Sequence, residues 1–354
     1  MVDIASGVNI GSGIYMGVEK TPIYPTAALT AGSNPTFDDI AWDGNQTMLA
    51  VAQPGYGATV TYSMFTTNLG LDWNVSTIPV VGGTVTNNFT VTYGNGRWVA
   101  ISGRYGYYST DGSNWTQVTG LTSTIAWETV RYGNGLFIAT AAQVYATGLK
   151  TNVYATSTDG ITWTSRTLPA SYRTWYNLVY GNGLWVLSAY SSGIGTAGDY
   201  TFTSPDGINW TSQGQVLGYD ARRGIYANGL FLVPCGGGFL YYSSDGITWS
   251  PYRVTSSGPD LCDVAYLNGV YVATTVYNSG TSGTNYVFSS TSVTGPWTTR
   301  LTFSPDAWYP VMISGAGYQS NPTPGFVLLW RNFVQPNGPT TNGVNVSYNG
   351  VDWI

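Results

Sequence analysis

Residues 241–249 read Tyr-Tyr-Ser-Ser-Asp-Gly-Ile-Thr-Trp, and this stretch decides the fold because versions of it return along the whole chain. An aromatic run suited to a β-strand leads into Asp245-Gly246, and a second run begins at Trp249. Asp-Gly between two β-forming runs predicts a tight hairpin turn, since such a turn needs residues that tolerate positive φ. The stretch therefore predicts two antiparallel strands joined at Asp-Gly.

Six further copies of this stretch occur, and each ends in a tryptophan. Three copies keep Asp-Gly, one has Asn68 and an extra residue before the glycine, one has lost the acidic residue, and one has Asn349-Gly350. The turn residues are Asn68, Asp111, Asp159, Asp206, Asp245 and Asn349, and the tryptophans are Trp73, Trp115, Trp163, Trp210, Trp249, Trp297 and Trp353. The chain is thus built from seven repeats.

A second marker precedes each Asp-Gly turn. It reads Tyr-Gly-Asn-Gly at residues 93–96, 132–135 and 180–183, with weaker forms at 226–229 and 266–269. Asn-Gly is another hairpin signal, so each repeat reads as four strands with a variable loop between the second and third. Because the tryptophans are 39 to 56 residues apart, the repeat has the size of a four-stranded propeller blade. We predict an all-β, seven-bladed β-propeller of four-stranded antiparallel blades over residues 36–354.

Residues 1–35 differ from the repeats and predict an extended N-terminal arm. Apolar side chains stand at even positions up to Val18, which is the period of a half-buried strand, and Pro22 and Pro25 then end the pattern. The seventh blade has almost no sequence after Trp353 for its last strand. We expect the segment from Ile14 to Val18 to complete that blade and close the ring; the alternative is that the arm docks onto a partner.

Composition restricts the chemistry that the chain can perform. Charged residues make up 8% of the sequence, histidine is absent, and the net charge is −5 with scattered basic residues. These features argue against nucleic-acid binding, a Ser-His-Asp triad and a histidine-based metal site. We expect no cofactor, no metal and no membrane insertion.

The two cysteines, Cys235 and Cys262, fit either two buried thiols or a single bridge.

The Ser-x-Asp-Gly-x-x-Trp pattern resembles the Asp-box, or BNR-type, repeat of sialidases, related glycosidases, secreted propellers and phage tail proteins. The resemblance covers roughly residues 37–354 and implies that the turns are structural, with tryptophans packed between sheets, and not catalytic. Sialidases bind a carboxylate of the substrate with three arginines, use a Tyr-Glu pair as the nucleophile and use an Asp as the acid. Here the glutamates are Glu19 and Glu128, and the candidate arginines, Arg131, Arg173, Arg222 and Arg223, lack that family's spacing. A sialidase-like glycosidase remains an alternative.

A ligand site is expected on the face that carries the variable loops, because both short turns lie on the opposite face. Aromatic and charged residues collect just before the innermost strands on that face. Rings with a few fixed polar groups suit sugar rings, although the same rings would also fill the space between blades. The predicted ligand-binding residues are Trp127, Tyr172, Arg173, Trp175, Tyr219, Arg222, Arg223, Asp306 and Trp308.

The sequence favours a non-enzymatic virion propeller, associated with a phage tail. The lysine-poor, Asn- and Thr-rich composition is typical of exported adhesins and virion appendages, whereas the first residues show no secretory leader pattern. We expect it to bind a host surface glycan or receptor, and to contact other virion proteins through its arm. An extracellular location is the alternative to the virion. A cellular assembly-factor propeller is the third class of function that the sequence leaves open.

Overall fold

The computed structural model describes residues 9–10, 14–15, 36–53, 60–67, 73–79, 89–144, 147–148, 151–169, 174–190, 201–214, 217–255, 259–276, 284–303, 312–316, 325–332, 341–347 and 349–353. Its regular structure is almost entirely β, with one 3-10 turn at Gly236–Gly238. The all-β prediction is confirmed.

Six antiparallel sheets of four strands each form blades 1 to 6, and within each blade the strand order follows the chain. Their strands are β3 Thr36–Trp42, β4 Met48–Gln53, β5 Val60–Thr66 and β6 Asn74–Pro79 in blade 1; β7 Thr90–Gly94, β8 Arg97–Ser102, β9 Tyr105–Ser109 and β10 Thr116–Gln117 in blade 2; β11 Ile125–Gly133, β12 Leu136–Val144, β13 Val153–Ser157 and β14 Thr164–Thr167 in blade 3; β15 Thr174–Gly181, β16 Leu184–Tyr190, β17 Thr201–Ser204 and β18 Thr211–Gly214 in blade 4; β19 Ile225–Ala227, β20 Leu230–Cys235, β21 Phe239–Ser243 and β22 Ser250–Arg253 in blade 5; and β23 Asp260–Leu267, β24 Val270–Val276, β25 Asn285–Ser290 and β26 Thr298–Phe303 in blade 6. The first strand of each blade contacts the first strand of the next, so these six strands line a common axis.

The prediction of seven four-stranded blades is wrong, because the described chain has six. The seventh repeat forms a three-stranded sheet of β27 Met312–Ala316, β28 Gly325–Asn332 and β29 Thr341–Ser347. In the six blades the fourth strand begins directly after the turn tryptophan, whereas no strand is described after Trp353. Strand β27 contacts β23 of blade 6 and β3 of blade 1, so the three-stranded sheet lies between the first and last blades.

Two short strands of the arm pair with each other. β1, Asn9–Ile10, lies antiparallel to β2, Ile14–Tyr15, in a separate two-stranded sheet. Met16 to Val18 lie outside the described residues. Completion of the seventh repeat by this segment therefore stays a prediction.

The Asn-Gly turns form as the sequence predicts. Asn134 has a φ of 50° and Gly135 a φ of 75°, and the same pair of positive values recurs in the other four Tyr-x-Asn-Gly markers. Positive φ at both central residues defines the hairpin turn whose twist matches that of the flanking strands.

The first glycine of the Tyr-Gly-Asn-Gly marker has a different role, which is close approach between blades. A Cβ atom on Gly133 would lie 2.4 Å from Cγ of Tyr180 in the next blade, and one on Gly94 would lie 2.0 Å from Cγ of Tyr132. Gly181 and Tyr226 repeat the contact at 2.0 Å. Each marker thus contributes a glycine that makes room for a tyrosine ring of the next blade. Its own tyrosine ring packs on the corresponding glycine of the preceding blade.

The Asp-Gly turns are closed by side-chain hydrogen bonds. The hydroxyl of Ser243 donates to Oδ1 of Asp245 at 2.8 Å and accepts from the N–H of Gly246 at 2.8 Å. Oδ1 of Asp245 also accepts from the N–H groups of Ile247 and Thr248, at 2.8 and 2.7 Å. The turns at Asp111, Asp159 and Asp206 repeat this arrangement, and Asn349 does the same with an amide oxygen.

The turn tryptophans pack against the preceding blade, as the sequence predicts. Trp163 of blade 3 is 4% exposed and lies in a cluster with Val99 and Ile101 of blade 2. Trp210 of blade 4 packs in the same way with Ile138 and Tyr154 of blade 3. Trp115, Trp249, Trp297 and Trp353 join clusters that include residues of the blade before them. Each of these six tryptophans therefore joins its own repeat to the preceding blade.

Replacing Gly133 with alanine should destabilise the protein. The added methyl overlaps the Tyr180 ring, and overpacking of this kind costs about 1–3 kcal/mol. The measurement is the free energy of unfolding from denaturant titration. In the Tyr180→Ala background, which lacks the ring, Gly133→Ala should be nearly neutral. Equal losses in both backgrounds would contradict the contact.

The free energy of unfolding should fall in acid as the turn carboxylates are protonated. The N–H groups of Thr248 and Ile247 and the hydroxyl of Ser243 lower the pKa of Asp245 from 3.8 to about 2. A lowered folded-state pKa gives stability that is present above pH 4 and lost as the pH falls towards 2.

The matched variant for this prediction is Asp245→Asn, because Asn349 already makes the same hydrogen bonds without charge. Denaturant titrations between pH 7 and pH 2 should show a smaller acid-induced loss in the variant than in the native chain. The same loss in both proteins would count against a role for the Asp245 charge.

Candidate functional site

One position on the innermost strand, or just before that strand in blade 5, places a polar side chain beside the axis. It stands three residues before the aromatic residue of the marker and is filled by Asp39, Thr90, Thr129, Asn177, Arg223 and Asp263 in blades 1 to 6. In blades 1, 3, 4 and 6 the register of the strand pair shifts just before this position. A bulge of this kind changes the direction of the side chains that follow. We call this the axial position.

Side chains at the axial position bond to the backbone of the following blade. Oδ2 of Asp39 accepts from the N–H of Val91 at 3.1 Å, and Oγ1 of Thr90 accepts from the N–H of Val130 at 3.1 Å. Oδ1 of Asn177 accepts from the N–H of Gly224 at 2.9 Å. These N–H groups lie at the inner edge of a blade, where no further strand of that sheet can pair with them. The side chains of the preceding blade satisfy them instead.

Charged residues at the axis form one ion cluster. Oδ1 of Asp39 is 2.5 Å from Nη1 of Arg223, and Oδ2 is 3.3 Å from Nη1 of Arg131. Nη1 of Arg223 is also 3.8 Å from Oδ2 of Asp263. The cluster therefore joins residues of blades 1, 3, 5 and 6.

The carboxylates of this cluster are buried, whereas the arginines are partly exposed. Side-chain exposure is 1% for Asp39 and 4% for Asp263, against 19% for Arg131 and 20% for Arg223. Burial opposes the charge of Arg223, but Asp39 and Asp263 outweigh it and raise the pKa of that guanidinium. The positive groups of the cluster are therefore more accessible than the negative ones.

A cavity of about 300 Å³ lies against the ion cluster. Its walls include Thr92, Tyr226 and Tyr266, together with the four charged residues of the cluster. Most of its lining belongs to the ends of innermost strands, nearer to the Asn-Gly turns than to the variable loops. We call this cavity the axial pocket. It has the size of the smaller ligand sites in proteins.

The structure gives two predicted ligand-binding residues a packing role. Trp127 and Trp175 are both fully buried, at 0% exposure. Trp127 packs between blades 2 and 3 and donates its Nε1–H to the carbonyl of Thr122, and Trp175 stands edge-on to Phe202 at 5.7 Å. Filling space between blades, the alternative noted for these rings, is what the structure shows for this pair.

Three other predicted residues divide between the two faces. Tyr219 is 39% exposed and stacks on Phe239 at 4.7 Å, and Arg222 pairs with Asp260 at 3.5 Å. These groups lie on the loop side of blades 5 and 6, whereas Arg223 joins the axial cluster. Tyr172, Arg173, Asp306 and Trp308 lie outside the described residues.

Cys235 and Cys262 are free and buried, so the two-thiol alternative is the one observed. Burial raises the pKa of both thiols, that of Cys262 to about 12.

Across the described ranges, no three His, Cys, Asp or Glu residues come together as a metal site requires. The described part of the chain also contains no helix with the length and apolar content of a membrane span.

Sequence reasoning missed the axial pocket because its residues belong to different repeats. Within the sequence, Arg131 stands out only as a candidate arginine of the sialidase pattern, and nothing near Asp39 in the chain pairs it with an arginine. A usable signal exists, since the axial position holds Thr or Asn in blades 2 to 4 but a charged residue in blades 1, 5 and 6. Opposite charges at one repeat position suggest an ion cluster about the axis.

No family model matches the chain, and no curated protein matches it either. Solved β-propeller structures do. The chain is similar to YCF48 from Cyanidioschyzon merolae, with 14% identity and a TM-score of 0.58 over 91% of this chain and 97% of that one.

Two further solved structures are also similar to the chain. YCF48 bound to D1 peptide gives 13% identity and a TM-score of 0.57, over 87% of this chain and 95% of that one. Virginiamycin B lyase from Staphylococcus aureus gives 10% identity and a TM-score of 0.59, over 82% of this chain and 91% of that one. At these identities the likeness shows the β-propeller fold alone.

Replacing Asp39 with asparagine should strongly destabilise the protein. The change leaves Arg131 and Arg223 without the carboxylate they share, and losing one partner of a buried ion pair costs about 3–5 kcal/mol. The lower end applies here, because the arginines are about one-fifth exposed.

The free energy of unfolding measures this effect, and Asp352→Asn is the control. Asp352 is exposed, so its variant should stay within about 0.5 kcal/mol of the native chain. A similarly small change for Asp39→Asn would show that the axial cluster does not stabilise the fold.

Proposed function

We propose that this chain is a non-enzymatic binding propeller that holds a segment of a partner protein in its axial pocket, in the manner of an assembly factor. The observation that carries the proposal is the pocket itself, in which Arg131 and Arg223 are partly exposed while the carboxylates behind them are buried. A guanidinium beside tyrosine rings suits a peptide, which offers both oxygen acceptors and apolar side chains.

The state of the pocket carboxylates favours binding over catalysis. Asp39 accepts from the N–H groups of Ile40 and Val91 as well as from both arginines. With four donors around its two oxygens, this carboxylate has no acceptor site left to take a proton from a substrate. This argues against the sialidase-like alternative for the axial pocket.

The comparisons are consistent with a peptide-binding propeller. One similar structure is YCF48 bound to D1 peptide, so a propeller of this overall shape accommodates a peptide. Another is a lyase, so function must be argued from the pocket and not from the fold. A virion component with Asp-box turns, holding neighbouring virion proteins, is a compatible setting for the same activity.

A second candidate function is glycan binding on the loop face. Tyr219 presents an exposed ring supported by Phe239, and Asp260 and Arg222 lie beside it. A supported ring next to hydrogen-bonding groups suits a sugar, whose C–H face stacks while its hydroxyls bond. This is the activity expected of a tail protein that binds a host surface.

Selection from a random 12-residue peptide library would test the axial proposal. Selected peptides should protect the amide hydrogens of β3, β7, β19 and β23 from exchange, because these strands supply most of the pocket wall. Tyr219→Ala should leave peptide affinity unchanged. Protection confined to residues 217–222 and 236–239 would place the site on the loop face, and a library without binders would contradict the proposal.

A glycan array separates the second candidate from the first. If the Tyr219 ring binds a glycan, the native protein should bind one glycan of the array at least tenfold more tightly than the Tyr219→Ala variant does. The two proteins should bind peptide with equal affinity. A glycan bound equally well by both proteins would exclude the Tyr219 ring as its site.

A further inference from the structure

We propose that the group recognised in the axial pocket is a carboxylate of the bound peptide, and that Arg131 is the residue that binds it. The inference rests on the proposed function, since it names the chemistry of that same site.

Within the described part of the chain, Nη1 is the one nitrogen of the Arg131 guanidinium that donates a hydrogen bond. Nη1 donates to the carbonyl of Val130 at 2.7 Å and to Oδ2 of Asp39 at 3.3 Å. Among the described residues, Nε and Nη2 make no hydrogen bond, and neither is a buried atom left unsatisfied. They are therefore accessible from the pocket that Arg131 lines.

The two unused nitrogens form the edge of arginine that suits a carboxylate. Nε–H and Nη2–H point in parallel from one side of the guanidinium plane, and two parallel N–H groups match the two oxygens of a carboxylate. The bonds from Nη1 to Val130 and Asp39 hold that plane in place before a ligand arrives. Such preorganisation lowers the entropic cost of binding.

Arg223 is an anchor and not a second binding group. Its Nη1 contacts Asp39 and Asp263, and its Nη2 donates to the carbonyl of Asp38 at 3.1 Å. Both of its terminal nitrogens are thus engaged, whereas Arg131 uses one. This difference assigns recognition to Arg131.

The charge balance favours a singly charged anion. Burial lowers the pKa of Arg131 and Asp39 only partly restores it, so the fold does not fully compensate the charge of this arginine. An arriving carboxylate supplies that compensation. A phosphate dianion would bring twice the negative charge towards Asp39 and Asp263, so it is disfavoured.

Titration calorimetry with small probes tests the inference on the full chain. The probes are N-acetyl-trialanine with a free carboxylate, the same peptide as its amide, N-acetyl-Ala-Glu-Ala amide, and inorganic phosphate. The free acid should bind at least tenfold more tightly than its amide. The glutamate peptide shows whether a side-chain carboxylate serves as well as a terminal one, and tighter binding of phosphate than of both carboxylates would overturn the proposal.

Two variants assign the effect to Arg131. Arg131→Gln should abolish the preference for the acid over the amide, and Arg131→Lys, which keeps the charge but loses the parallel N–H pair, should reduce affinity for the acid about tenfold. Arg104→Gln removes one positive charge outside the pocket lining and should change neither value. If Arg131→Gln does not fold, the lysine variant and the acid-to-amide comparison on the native chain still decide the question.

The outcomes separate this inference from the proposed function. Library peptides that bind regardless of their carboxylates would overturn the role of Arg131 and leave peptide binding standing. Discrimination between acid and amide with no library binder would support a carboxylate site and reject the peptide-holding function. Equal binding of acid and amide to the native chain would reject the inference directly.

Discussion

The contact between neighbouring blades is the interaction on which the rest of this structure depends. A four-stranded sheet with apolar side chains on both faces cannot be stable alone in water, because each face must be covered by another sheet. Here neighbouring blades cover each other both near the axis and near the outer rim. Near the axis the ring of Tyr180 fills the space above Gly133, and near the rim Trp163 packs onto Val99 and Ile101.

The two short turns make that contact repeatable. In the Asp-Gly turn, the glycine lies so close to the preceding blade that a Cβ on Gly160 would be 2.8 Å from a methyl group of Val99. The hydrogen bonds of Ser157 and Asp159 fix the turn in the shape that permits this approach. A turn that is structural in each repeat therefore also sets the spacing between repeats.

The axial cluster joins several blades and also lines a cavity. Asp39 joins blades 1, 3 and 5 through Arg131 and Arg223, and it also bonds to the backbone of blade 2. Buried charges of this kind are stable only when each has its partner. Since Arg131 satisfies Asp39 with a single nitrogen, the rest of its guanidinium remains available to a ligand. Similar propeller structures include a lyase and a peptide complex, so the fold alone does not determine the function.

The sequence by itself determined the repeat, the hairpins and the role of the tryptophans, because Asn134-Gly135 and Asp245-Gly246 act within a few residues of chain. It did not determine the number of complete blades, since the seventh repeat has the same turn and tryptophan as the others and yet its described strands form a sheet of three. Only the tertiary structure decided that Trp127 is buried between sheets and that Asp39 and Arg223 meet at the axis. Those contacts join residues far apart in the chain, and closure of the strands around an axis, which no local pattern encodes, is what brings them together.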